Sequence, residues 1–567
     1  MRARLVAALL ALGCATPAFA GGAKITVVNV NAPGVGFNDP TPAAPVGGNT
    51  GTTVGEQRLI AFQHAANIWG AALDSSVEVR IQSSFVPLAC TATSGTLGSA
   101  GAIQIFADGP NMAYANTWYH VALANKLAGQ DLAPGATNTS ADDIRARFNS
   151  ELGKANCLTS SSWYYGLDAN QAPNQINLVT VLLHEFAHGL GFSSFTNVST
   201  GVQLAGLSDV YSKFYFDNTT AKSRDQMTDA ERLASAVNPR NVVWTGAAVD
   251  SKAPQVLQQG TPLLRINTPT TLGDIQVGAA AFGPAITTAP ITGDIAVATD
   301  ASNASGPSTT DGCTAITNGA SVAGRIALVD RGTCGFVVKV KNAQLAGAIA
   351  VLVADNVAGG PPAGLGGADP TITIPSVRIT LADGNAIRSA LGAGAVNGSL
   401  GLDLAVRAGA DRAGRPMLYT PNPVQPGSTV SHWDTSATPN QLMEPSINSD
   451  LKLAVDLPYD LTRAQLRDVG WYPDGDLDLV ADDAGDVCLG SDLSATVSIG
   501  GIDTGVPNTF FTNGCTIRDY VSLCKAPGAN HGSYVSCGAN LTNTLRNLGF
   551  IDGSQKGAIQ SAIARDK

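Results

Sequence analysis

Apolar and polar residues alternate from Lys24 to Asn29 and again from Val77 to Ile81, and between about Glu56 and Leu73 the apolar positions recur at helical spacing. A strand, a helix and a second strand are therefore expected at the start of the chain. Another helical pattern runs from about Tyr114 to Leu127. The run Asn177-Leu-Val-Thr-Val-Leu-Leu-His-Glu-Phe-Ala-His-Gly-Leu-Gly-Phe192 is apolar and free of Gly and Pro until Gly189, so it reads as one buried helix that stops at its glycines. From about residue 265 to 405 the pattern changes: Arg325–Asp330 reads as a strand, Phe336–Gly347 as a helix, Ile349–Asp355 as a second strand and Ala382–Leu391 as another helix. Such alternation builds a small α/β unit with its own core. Further on, Leu461–Trp471 has Thr462 and Gln465 at capping-box spacing and Gly470 at its end, which predicts a short closing helix.

The fold class that follows is α+β. A host of twisted sheet and buried helix is expected in two parts, 21–260 and 406–473, interrupted by an α/β insert over 261–405 and followed by an acidic, Cys-rich tail over 474–567. A length of 567 residues suits several domains rather than one core.

The first residues change the picture. Arg2 and Arg4 precede an apolar run from Leu5 to Leu12 and then Ala18-Phe19-Ala20, the layout of a secretory leader cut after Ala20. The run is shorter than the roughly 20 residues that span a bilayer, and no later stretch qualifies. Cys14 is a poor lipid attachment site, since Ala11 stands where Leu is favoured. Export to the medium or periplasm is expected, with no membrane span. Eight cysteines remain after cleavage, in an export context where disulfides persist. They group as Cys90 with Cys157, Cys313 with Cys334, and Cys488, Cys515, Cys524 and Cys537 near the end, which suggests three separately stapled units. Arg2 and Arg4 leave with the leader, so 32 basic residues face 44 acidic ones and the formal charge is −12. That balance argues against nucleic acid or anionic membrane as a partner.

The buried helix also carries the chemistry. His184 and His188 are four residues apart, so both imidazoles leave one face about a turn from each other and can grip a single metal. Glu185 beside them can deprotonate a metal-activated water. Paired surface or capping histidines are the bland alternative. An apolar helix, however, gains nothing from burying His, Glu and His unless a metal or partner offsets the cost. Zinc hydrolases need a third protein ligand and an open fourth position. The third His of the common H-E-x-x-H-x-x-G-x-x-H pattern is replaced here by Ser194. Of the other histidines, His64 and His120 fall in helical patterns and read as helix-surface or core-edge residues, His531 sits in the Cys-rich tail, and His432 lies in Ser431-His-Trp-Asp-Thr-Ser-Ala-Thr-Pro-Asn-Gln-Leu-Met-Glu-Pro445.

The combination of His184-Glu185-x-x-His188-x-x-Gly191-Phe192, a long insertion, Ser431-His432-Trp433 and Leu442-Met443-x-Pro445 resembles the leishmanolysin family of metzincin zinc peptidases. In that family an inserted segment displaces the third histidine from the motif. The resemblance implies that His184, His188 and His432 bind zinc, that Glu185 is the base, and that Met443 forms the methionine turn beneath the metal. The displacement is longer here than is usual for the family. A gluzincin arrangement, with a helical Glu some twenty residues on, is the rival; the first glutamate after the motif is Glu231, 43 residues beyond His188.

The stretch from Cys313 through Gly324-Arg-Ile-Ala-Leu-Val-Asp-Arg-Gly-Thr-Cys-Gly-Phe336 to Ala346-Gly-Ala-Ile-Ala-Val-Leu-Val-Ala354 resembles the protease-associated domain. The resemblance implies a non-catalytic module that influences access or protein binding. Arg331 and Lys339 read as solvated or ion-paired surface.

In the tail, Asp474, Asp476, Asp478, Asp482 and Asp486 can converge on a hard cation such as Ca²⁺, or simply form a solvated acidic linker. The run resembles a degenerate thrombospondin type-3 repeat that lacks its glycine at Leu479. The whole chain is thus expected to be an exported zinc endopeptidase acting on proteins or peptides. A secreted binding or adhesion protein with an inactive peptidase fold is the alternative.

Overall fold

The computed structural model describes residues 22–134, 141–304, 306–448, 450–472, 487–488, 490–511, 514–525 and 530–566. The host begins with β1 (Ile25–Asn29), α1 (Val54–Ala72), β2 (Val79–Val86) and β3 (Gly98–Ala102). It continues with β4 (Thr117–His120), α2 (Val121–Ala128), β5 (Ile144–Asn149) and α3 (Leu178–Leu190). Thr53 and Glu56 form a reciprocal capping box at the start of α1, which satisfies amides that have no partner within the helix.

The main host sheet has the order β1-β2-β5-β3. β1, β2 and β5 run parallel, with Ile25 opposite Val79 and Ile81 opposite Ile144. β3 runs antiparallel to β5 and closes one edge. Helices α1 and α3 cover this sheet through an aromatic core in which the Phe62 and Phe148 rings lie 4.9 Å apart, edge to face. Indole N–H groups lock the helices together: Trp69 donates to the Leu183 carbonyl at 3.0 Å and Trp471 to the Leu190 carbonyl at 2.8 Å.

Between the two host parts, β6 (Gln259–Thr268), β7 (Ile291–Val297), β8 (Ile326–Asp330), α4 (Phe336–Leu345), β9 (Ala350–Ala354), β10 (Ser376–Ile379), α5 (Leu381–Ala393) and β11 (Asn397–Arg407) form a second unit. Strands β7, β8, β9 and β10 are mutually parallel. β8 and β9 are continuous apolar runs because both of their faces are covered. Lys339 corrects the surface reading. It is fully buried, with Nζ donating to the Asp311 carbonyl at 2.7 Å, and burial lowers its pKa against the pull of Asp311, Asp300 and Asp330. Its long stem packs with the core while the ammonium finds a backbone acceptor. Arg331 does pair at the surface, with Asp355 at 2.9 Å.

β6 and β11 pair antiparallel from Gln259–Arg407 to Thr268–Asn397, so the insert enters and leaves on a two-stranded stalk. The junctions expected at 260/261 and 405/406 fall inside these strands. Paired antiparallel residues stand only about 5 Å apart, a gap that a two-residue turn spans. Replacing 261–405 with Asn-Gly is therefore expected to leave the host folded. Thermal unfolding of the shortened chain checks this: a melting temperature within a few degrees of the full chain's host transition is expected, and collapse would mean that the insert supplies host stability.

After the stalk, the chain returns to the host and reaches α6 (Thr462–Leu466). The expected capping box is absent, because Leu461 is the cap, the Thr462 amide is held by Asp460 Oδ1 at 2.7 Å, and Gln465 reaches across to the Gly191 carbonyl. The tail has its own core around β12 (Thr496–Ile499), β13 (Ile502–Pro507), α7 (Ile517–Cys524), α8 (His531–Asn547) and α9 (Gly553–Arg565). Disulfides join Cys90 to Cys157, Cys313 to Cys334, Cys488 to Cys515 and Cys524 to Cys537. Each staple stays within one of the three units. No helix among the described residues is long and apolar enough to cross a membrane.

Candidate metal centre

Helix α3 starts at Asn177, whose side chain accepts from the Val179 amide at 2.9 Å, and every residue from Leu178 to Leu190 is buried. Gly189 lies inside the helix, where a Cβ would come within 2.4 Å of Ile144. The stop falls at Gly191, whose φ of +142° side chains rarely adopt. The turn that follows is anchored by Phe192, which packs on Tyr211 and Trp433.

That aromatic contact brings in a distant segment. The Trp433 ring lies 5.1 Å from Phe192, and Trp433 bridges to Leu418 on the chain returning from the stalk. Tyr419 N donates to the His432 carbonyl at 2.8 Å, and Asp434 N to the Met417 carbonyl at 2.9 Å. His432 is carried in this way to the face of α3 that bears His184 and His188. The three rings form a near-equilateral triangle, with centroids 5.0, 5.1 and 4.8 Å apart. One ligand atom of each lies within 4.8 Å of the others.

Their hydrogen bonds define the lone pairs. Nδ1 of His184 faces the Leu442 carbonyl at 2.7 Å, that of His188 the Phe192 carbonyl at 2.8 Å, and that of His432 the Ser428 carbonyl at 2.7 Å. A carbonyl only accepts, so each Nδ1 carries the proton and each Nε2 presents a lone pair. Nε2 of His184 and Nε2 of His432 are 3.2 Å apart. Two lone pairs so close repel unless a cation lies between them. Two nitrogens bound to one tetrahedral zinc at roughly 2.0–2.1 Å would stand about 3.3 Å apart, so the residues present fit that ion. Burial, with His188 adding to it, lowers His184 to about 3, burial lowers His188 to about 4, and burial together with His188 and His184 drives His432 well below the ordinary 6.5. The rings are neutral at physiological pH.

Glu185 is also buried, which pushes its pKa up to about 8, partly opposed by a hydrogen bond from the Ala100 amide. The edge strand β3 runs directly past it: a Cβ at Gly98 would lie 2.9 Å from Glu185 Cγ and 3.0 Å from the Phe148 ring. Met443 is fully buried in the turn Gln441–Glu444, and its carbonyl accepts from Trp433 N at 2.8 Å.

Neither His64 nor His531 belongs to the histidine group. His120, expected at a helix surface or at the edge of the core, is completely buried at the end of strand β4, where it caps helix α2. It faces Ser193 Oγ at 2.7 Å, and Ser193 donates to the His188 carbonyl. The β-favouring Thr117-Trp-Tyr run was the signal for that strand. The carboxylates Asp474, Asp476, Asp478, Asp482 and Asp486 lie outside the described residues.

Comparison with known proteins identifies one module. Residues 291–387 match the PA domain family, so the insert contains a PA domain. Over 88 residues the chain is 39% identical to ER degradation-enhancing alpha-mannosidase-like protein 3 of Xenopus laevis, covering 14% of this chain and 10% of that protein. Over 94 residues it is 38% identical to probable leucine aminopeptidase 2 of Aspergillus fumigatus, covering 16% and 19%. The chain thus spans less than a fifth of these relatives, whose named chemistries differ. Among solved structures, BSAP, a zinc aminopeptidase from Bacillus subtilis, aligns at a TM-score of 0.19 and 24% identity, over 27% of this chain and 36% of that one.

Proposed function

We propose that this chain is an exported zinc-dependent endopeptidase whose host is a metzincin-type catalytic domain of the leishmanolysin kind. The observation that carries the reading is the convergence of three buried, neutral Nε2 lone pairs from His184, His188 and His432 beside Glu185. In this reading those histidines hold zinc, Glu185 is the base, and Met443 supports the site from below. Bound zinc supplies Lewis acidity toward water and the scissile carbonyl. Glu185 takes the proton of the attacking water and delivers it to the leaving amine. The edge of β3 that does not face β5 offers backbone groups to an extended peptide, and its small, partly exposed residues Gly98, Ser99, Ala100 and Gly101 allow close approach. A peptide lying along a strand passes through the site at both ends, which favours internal cleavage.

The test is digestion of a reduced, alkylated protein by the purified chain, with products mapped by mass spectrometry. Internal cuts that stop on chelation and return with added zinc are expected. Trimming from one end alone would make it an exopeptidase, and no cleavage with zinc bound would favour the binding-protein reading.

A further inference from the structure

The three histidines are braced by backbone carbonyls, but the residues supplying those carbonyls are held differently. The Phe192 amide bonds to the Ala187 carbonyl and the Ser428 amide to the Gln425 carbonyl, both neutral. The Leu442 amide instead donates to a carboxylate, Asp460 Oδ2, at 2.6 Å. The other oxygen of Asp460 accepts from the Thr462 amide at 2.7 Å, and the side chain is buried. Leu461 N in turn donates to Gln441 Oε1 at 3.1 Å, so the methionine turn and the start of α6 are cross-braced around this one carboxylate.

Resting on the zinc reading above, we infer that Asp460 is a positioning residue for metal binding, which fixes Leu442 so that its carbonyl orients the His184 ring toward the shared centre. Leu442 lies in a turn outside any helix or strand; backbone bonds hold Gln441 and Met443 on either side of it, and its own amide is held by Asp460. A charged acceptor makes a stronger bond than a neutral one. Both oxygens of Asp460 are held by backbone amides, and although burial raises its pKa, the bonds from Leu442 and Thr462 oppose that rise. Partners at this remove typically contribute about 10–100-fold in metal affinity.

Glu444 provides the comparison, being a buried carboxylate in the same turn that accepts from the Gln441 amide at 2.8 Å and from Asn448 at 3.1 Å, not from Leu442. The experiment is competition for zinc between the full chain and a chromophoric chelator, with thermal unfolding of the metal-free proteins alongside. Asp460→Asn is expected to weaken zinc binding by about 10–100-fold, with Asp460→Glu recovering part of the loss and Glu444→Gln changing affinity by less than about 3-fold, below the range for outer partners. Should Asp460→Asn fail to fold, Asp460→Ser, which keeps one hydroxyl acceptor, takes its place with the same expectation. Unchanged affinity in folded Asp460→Asn, or an equal loss in Glu444→Gln, overturns the assignment while leaving the zinc site intact. A wild-type chain that takes up no zinc overturns the underlying reading as well.

Discussion

Glu185→Gln is expected to lower hydrolysis of an unfolded protein by roughly 10²–10⁴-fold, the range for loss of a general base, while zinc content stays at the wild-type level. Glutamine keeps the shape of the side chain and an oxygen for the Ala100 amide, so what is lost is the ability to take a proton. Stability gives an internal control. In the metal-free chain burial raises the Glu185 pKa to about 8 from the ordinary 4.5, so the folded state holds its proton more tightly than the unfolded state does. Wild-type stability therefore falls as pH rises through that window, and the cost is complete above it. Glutamine carries no such cost, so the variant is expected to melt at or above wild type at pH 8. Full activity in Glu185→Gln would remove Glu185 from the mechanism; lost activity with lost zinc would instead make it a determinant of metal binding.

His432→Ala should produce the second large effect, a fall in zinc affinity greater than the roughly 10–100-fold attributed to outer partners, together with loss of hydrolysis. The sign of the stability change should depend on zinc. Without metal, removing His432 relieves the 3.2 Å approach of two lone pairs and costs one bond to the Ser428 carbonyl, so little change is expected. With zinc in excess, wild type gains about 2.7 kcal/mol at a ligand concentration of one hundred times Kd, and the variant gains much less. Differential melting with and without zinc measures both arms. Zinc affinity equal to wild type in His432→Ala would require another third ligand.

How far the sequence foretold this arrangement depends on how local the causes are. Helix α3 was legible because its apolar run, its motif and its end at Gly191 lie within sixteen residues. Strands β8 and β9 were legible because doubly covered strands are apolar throughout. His432 was legible only through a resemblance. Its position depends on Trp433 meeting Phe192 and on Tyr419 pairing with the His432 carbonyl, and neither contact leaves a local pattern. The helix expected from Tyr114 proved to be strand β4 followed by α2, since pairing of Thr117 and Trp118 with Ser208 and Asp209 outweighed the helical spacing. Thr462 and Gln465 had the spacing of a cap, yet tertiary partners took the amide of one and the side chain of the other.

The stalk also sets a timetable. His188 and His432 are 244 residues apart, with a module that has its own core between them. A chain emerging N-terminus first carries two of the three histidines long before it carries the last. On the proposed reading, a nascent or truncated polypeptide ending before Ser431 is inert, and competence arrives only with the last stretch of the host. Chain completion can then serve as the safety catch during synthesis and export.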